Sequence, residues 1–322
     1  MGGGRMEMLP REAADPEYPK DSSKAGSRND GNLIGLFEPS HMQFKGNRMN
    51  DVGGEPSLSE MVEKVIEILQ KDKDGFFLMV EDKLLLQQTG GRIDHAHHDG
   101  LAYHALHDTI AMDKAVAKAM SMTNEMETLF IVTADHSHVL SIGGAADRGS
   151  PILGRGGLMN DGLPFTTLSY ANGPGGIEEL NSFKSTGSRR NLTDTNTESA
   201  DFHHPALVPI DSETHGGEDV TIYANGPMSH LFHGVHEQHY IAHVRQNQTE
   251  SDERENPKTL AAKGDYQNWL TVGNDLQRQQ ERGQTAGSGL GCSKERWLTV
   301  GCGDDNVTHL PKSRPLRTGS IK

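Results

Sequence analysis

The chain has 322 residues, enough for one large or two ordinary domains, yet only 34% are hydrophobic and mean hydropathy is -0.63, so part of it lacks the apolar surface a packed core needs. A formal net charge of -14 excludes nucleic acid and anionic lipid as main partners, because both demand a basic surface, and favours metal cations. No apolar run approaches the length of a membrane span, and the N-terminus lacks the basic-then-apolar pattern of a signal peptide.

Residues 1–34 are rich in Gly, Pro and charge. Ser57 and Glu60 form a capping-box pair ahead of a predicted helix over 57–71, with Leu58, Met61, Val62, Val65, Ile66 and Leu69 at helical spacing. Gly75 breaks the chain before Phe76–Val80, a continuous apolar run of the kind a buried parallel strand shows. A second helix is predicted from about Asp99 to Met120, with Ala102, Leu106 and Ile110 four apart, and a second strand over Leu129–Val132. Alternating helices and fully apolar strands predict an α/β sheet covered on both faces. Ligands in such folds gather at the carboxyl ends of strands, where Glu81 and the pair Asp135–His136 fall.

From 143 to 211 the pattern dissolves into Gly, Ser, Asn, Thr and Pro, and Val220–Tyr223 restores a short strand. Beyond Arg245 the chain is strongly polar, and Trp297–Gly301 repeats the pentapeptide of Trp269–Gly273; this tail, 246–322, reads as disordered. It also holds the only two cysteines, Cys292 and Cys302, which could pair but cannot organise a metal core. Glycosylation sequons occur at Asn191, Asn247 and Asn306.

Three segments spell a metal site: Gly90–His98, Thr133–His138 and Glu213–Glu218. Asp94 and His98 are four apart, so a helix starting here stacks them on one face where they grip a single ion. Asp135 and His136 sit at the mouth of a strand, and His215 arrives from a loop. Carboxylate oxygen with imidazole nitrogen and no thiolate suits catalytic rather than structural zinc.

The wording of these motifs resembles the alkaline phosphatase family of the animal type. Further matches are Gly35–Pro39 and the run Gly226–Gln238, and together they cover most of residues 1–245. The resemblance implies a partial doubly wound α/β/α sandwich over 35–245, with a crown-like insertion at about 143–211, preceded in 1–34 by an interior piece of the same fold. It implies that Asp94, His98 and His215 hold a first zinc, Asp135 and His136 contribute to a second, and Glu81 binds magnesium. A calcium site would use Phe37 through its carbonyl together with Glu38 and Glu55. The resemblance further implies a homodimeric hydrolase of phosphate monoesters at the cell surface, lipid-anchored and glycosylated.

Departures from the family pattern bear on activity. The nucleophilic serine belongs to an Asp-Ser-Ala motif that occurs nowhere in this sequence, and the aspartate bridging two of the metals and the arginine clamping phosphate belong to the same missing part. Asp82–Thr89 also intervenes between Glu81 and Gly90. If that insertion loops out, Glu81 keeps its place; if it extends the strand, the carboxylate is displaced. Among the remaining histidines, His95, His97 and His138 are candidates for orienting the ligands. His104 and His107 read as solvated helix residues, and His230, His233, His236, His239 and His243 as ordinary structure. The competing expectation is a catalytically inactive zinc-binding fragment or interaction protein.

Overall fold

The computed structural model describes residues 37–51, 53–73, 75–81 and 92–244, with the backbone of 268–272 and 297–300. Residues 1–34, the insertion over 82–89, Asn247, Asn306 and the two cysteines lie outside the described residues.

Helix α1 (Leu58–Leu69) starts at the predicted capping box: the Glu60 amide donates to Ser57 Oγ at 3.3 Å, and the Ser57 amide donates to the Glu60 carboxylate at 2.6 Å. Its face of Met61, Val62, Val65, Ile66 and Leu69 is buried against β1 (Phe76–Val80) and helix α3 (Ala102–Met122). Before α3 comes the short α2 (Arg92–His98). Helix α3 is the one predicted from about Asp99, and α2 is the helix start expected around Asp94 and His98; Gly100, with φ +69°, ends α2 and separates the two.

Strand β2 (Thr128–Val132) has apolar residues on both faces because both faces are covered. Phe130 packs into the core with α1, β1 and α3, while Leu129 and Ile131 pack with Phe232 and Val244 on the opposite side. The last strand of the predicted set forms at β8 (Tyr223–Asn225) rather than 220–223, antiparallel to β2 with Ile131 opposite Ala224. Its end is fixed by Gly226, where a Cβ would lie 2.1 Å from the Thr128 carbonyl oxygen.

The segment over 143–211, expected to be irregular, is regular in much of its length. It contributes most of a three-stranded sheet of β3 (Leu140–Ile142), β6 (Leu168–Gly173) and β7 (Ala206–Pro209), a hairpin of β4 (Arg155–Leu158) and β5 (Pro164–Thr166), and helix α4 (Pro174–Thr186). Helix α4 carries no apolar stripe because it packs on β7 through glycines. A Cβ at Gly175 would fall 1.9 Å from the His204 carbonyl oxygen, and one at Gly176 2.7 Å from that of Val208.

The tail departs from expectation too. Strands β9 (Asn268–Val272) and β10 (Trp297–Val300) enter the main sheet, whose order is β10-β1-β9-β2-β8. Both copies of the pentapeptide lie parallel to β1 in one register: Phe77 is opposite Trp269 on one side and Trp297 on the other. A strand of four or five residues rich in aromatic and β-branched types suffices for such pairing, and the polar residues around it conceal it in an average over the tail. The whole is a partial α/β fold with both faces of the main sheet covered. Among the described residues no helix is long and apolar enough to cross a membrane.

Candidate metal centre

The three predicted segments meet at the carboxyl end of β2. Helix α2 stacks Asp94, only 3% exposed, under His98, whose Nε2 lies 3.3 Å from Asp94 Oδ1. Just past β2, His136 Nε2 is 3.1 Å from Asp135 Oδ2 and 3.8 Å from Asp94 Oδ1. The loop bearing His215 is stapled to this end of the sheet by a bridge between His138 and His215 and by the Gly216 amide donating to the Ser137 carbonyl at 2.7 Å. That places His215 Nε2 3.3 Å from Asp94 Oδ1 and 3.1 Å from His98 Nε2.

Asp94, His98 and His215 therefore form a triangle of donor atoms with edges of 3.1 to 3.3 Å. Zinc bonds of about 2.0 Å in a tetrahedron require edges of about 3.3 Å, so the triangle fits that ion. Buried Asp94 Oδ1 has imidazole nitrogens at 2.9 and 3.3 Å but no hydrogen bond of sound geometry, and His138 Nε2 is in the same position. Buried carboxylate and imidazole atoms that converge without hydrogen-bond geometry suit a cation. Ligand atoms of Asp94, His136, His138 and His215 all lie within 4.8 Å of one another, as do those of His98, His138 and Glu213. Burial alone would raise the Asp94 carboxyl, but the imidazoles of His138, His215 and His98 outweigh it and hold the group well below the usual carboxylate range.

His138, read from sequence as an orienting residue, stands inside the cluster with Nε2 2.9 Å from Asp94 and Nδ1 2.7 Å from Glu213. Desolvation disfavours its charge, yet the adjoining carboxylates of Asp94 and Glu213 overcome this and push it up to about 9. His97 Nδ1 is 2.9 Å from the Tyr170 hydroxyl, and its ring stacks on His138 at 4.5 Å. Burial, then the nearby His138, lowers His97 to about 3, keeping it neutral. His95 packs edge-on against His41 at 4.7 Å.

Sequence reasoning gave Glu213 no role, although it lies in the quoted Glu213–Glu218 motif. It is 1% exposed, and an acidic residue two before a candidate ligand was the available signal.

The other predicted metal residues stand apart from this cluster. Glu81 is buried at the carboxyl end of β1 and lines a cavity of about 40 Å³ with Glu55, Arg92 and Asp108. Glu38 and Glu55 are both buried near Asp51, and both oxygens of Glu55 accept from the Gln43 amide at 2.9 and 3.0 Å. Burial, then the hydrogen bond to Asp51 and the charge of Glu55, raises Glu38 to about 8. Glu38, Glu55 and Glu81 are in neither of the two ligand groups.

His104 corrects the expectation of a solvated residue. It is 2% exposed and stacks on Phe44 at 4.2 Å, because the 41–46 segment folds over α3. His107 is half-buried and stacks on Tyr103 at 4.1 Å. His230, His233, His236, His239 and His243 are exposed and in neither ligand group; His236 stacks on Tyr240 at 4.1 Å.

The tissue-nonspecific alkaline phosphatase isozyme of Rattus norvegicus is 42% identical over 282 residues, covering 76% of this chain and 51% of the relative. The same isozyme of Homo sapiens is 41% identical with the same coverage. An alkaline phosphatase of Gadus morhua is 40% identical over 280 residues, covering 76% of this chain and 55% of the relative. The chain thus spans about half the length of these relatives. A sequence profile described as alkaline phosphatase matches residues 29–250. The chain belongs to the alkaline phosphatase family.

Proposed function

We propose that this chain carries the zinc-binding part of a centre that hydrolyses phosphate monoesters. The observation that supports it is the triangle of Asp94, His98 and His215 beside Asp135 and His136. Two zinc ions in such a centre would supply activation of the attacking oxygen and stabilisation of the leaving one. The chain's own residues hold the donors in place: α2 fixes Asp94 and His98, β2 delivers Asp135 and His136, and the stapled loop brings His215. The side of His215 is 46% exposed, so the centre is open to a small substrate.

Magnesium at Glu81 and calcium at Phe37, Glu38 and Glu55 extend the same reading. Glu38 in particular would give up its proton to a bound cation. A homodimer is supported by apolar residues left exposed on the crown-like segment, including Leu207 at 85%, Leu158 at 70% and Phe183 at 61%. A cell-surface setting is supported by Asn191, exposed in a turn in which its side-chain oxygen accepts from the Thr193 amide at 3.0 Å, leaving its nitrogen for a glycan.

One observation favours a second reading, a zinc-binding protein with little turnover. The 322 residues contain no Asp-Ser-Ala triplet, and metals alone do not supply the covalent step that a positioned serine provides. The two readings share the metal site and differ in rate. The test measures zinc content and p-nitrophenyl phosphate hydrolysis at alkaline pH. Wild type should retain zinc, His98→Ala and His215→Ala should lose most of it, and turnover should be far below about ten per second. Equal zinc in all three proteins would overturn the site, and turnover at that rate would overturn the second reading.

A further inference from the structure

Around Asp94 both His98, a corner of the donor triangle, and the adjoining His138 present Nε2 inward, and nothing in an imidazole chooses which nitrogen carries the proton. The choice is made from behind, by whatever each Nδ1 meets. Both Nδ1 atoms meet one residue. His98 Nδ1 lies 2.5 Å from the Glu213 carbonyl oxygen. A carbonyl only accepts, so His98 Nδ1 carries the proton and Nε2 is left as a lone pair facing Asp94 and His215. His138 Nδ1 lies 2.7 Å from Glu213 Oε2, which fixes the same tautomer there.

Glu213 is itself held from several directions. Its amide donates to the His98 carbonyl at 2.8 Å, so the two residues are joined through both backbone and ring. Its other carboxylate oxygen accepts from the Val139 amide at 2.7 Å. The next residue, Thr214, is clamped by Asn172 through bonds of 3.0 and 2.8 Å. At Gly173 a Cβ would stand 3.1 Å from Glu213 Cβ, so a side chain there would press directly on it. The carboxylate lies on the Nδ1 side of His138, opposite the nitrogen that faces Asp94, and so behind the ring as seen from that triangle.

The geometry points to Glu213 as the positioning residue of the centre: one buried glutamate that sets the tautomer and orientation of His98 through its carbonyl and of His138 through its carboxylate. This rests on the metal-centre reading above. Ligand-orienting partners of this kind typically change metal affinity by about 10- to 100-fold when lost.

The test uses the full chain, stripped of metal and titrated with zinc against a chromophoric chelator, with histidine ring nitrogens followed by 15N NMR at a pH high enough that the imidazoles are neutral. Glu213→Gln keeps the shape and the Val139 contact, but an amide N–H turned toward His138 favours a proton on Nε2. Zinc affinity should fall about 10- to 100-fold, and the His138 signals should move to the Nε2–H tautomer while His98 keeps Nδ1–H. Affinity within about threefold of wild type with an unchanged tautomer would overturn the proposal. Should the Gln variant not fold, Glu213→Asp decides. It keeps the charged acceptor with a shorter reach, and should retain the tautomer and bind zinc several-fold more weakly; wild-type affinity would overturn the role. A wild-type chain that binds no zinc defeats the metal-centre reading and this inference with it. Zinc binding by wild type and by Glu213→Gln alike defeats the positioning role alone.

Discussion

At the scale of single residues, the centre couples protons to metal in opposite directions. His138, between Asp94 and Glu213, titrates at about 9 instead of 6.5. Its charged form stabilises the metal-free fold fully below pH 6.5, and that contribution fades as pH rises through 9. Zinc gains over the same interval, because a proton on His138 repels the cation and must leave for the site to bind well. Metal-free protein should therefore lose stability between pH 7 and 10 while zinc affinity climbs. Thermal unfolding of stripped protein and chelator competition at each pH measure the two trends, and a zinc affinity flat across that range would refute the coupling. That Asp94, His98, Asp135, His136 and His215 gather in one place was legible in the sequence because they stand in dense motifs. Glu213 was passed over, since a main-chain carbonyl carries as much of its proposed role as its carboxylate, and its place two residues before His215 was the one signal the sequence offered.

At the scale of elements, legibility followed how each element buries its surface. Helix α1 was readable to within two residues because it buries large side chains at helical spacing and begins on a capping box. Helix α4 was invisible because its buried contact is made by Gly175 and Gly176. The two helices should therefore respond oppositely to alanine. Ile66→Ala in α1 should cost about 2–5 kcal/mol through a cavity, whereas in α4 it is the added methyl of Gly175→Ala that should destabilise, by about 1–3 kcal/mol, by forcing the helix off the His204 carbonyl. Alanine is the better helix former by about 1 kcal/mol, so chemical denaturation showing Gly175→Ala more stable than wild type would mean that α4 does not pack on its glycines. Strand β8 was displaced by a related cause: the backbone contact of Gly226 with Thr128, not a side-chain preference, sets where it ends.

At the scale of the molecule, the main sheet joins segments far apart in sequence, and that is where composition misled most. An average over the tail hides two five-letter repeats, whereas a sheet asks only for short stretches in the right places. Strand β9 is central, bonded to β1 on one side and β2 on the other, while β10 is an edge strand bonded to β1 alone. In a parallel ladder, successive residues direct their amides to opposite neighbours, so every residue of a central strand donates within the sheet and alternate residues of an edge strand do not. Proline removes one donor and so distinguishes the positions despite identical sequence. Leu270→Pro and Thr271→Pro should both destabilise, each by about 1–3 kcal/mol for a buried carbonyl left without its partner. Of Leu298→Pro and Thr299→Pro, only one should do so. Removing the tail after residue 245 should do more than any of these, since it opens the facing edges of β1 and β2 at once, leaving β1 with neither of its strand partners and β2 with β8 alone. Denaturant midpoints and sedimentation of the five proteins provide the measurement. A truncated chain with the wild-type midpoint, monomeric and still holding zinc, would show that the repeats take no part in the sheet that carries the metal centre.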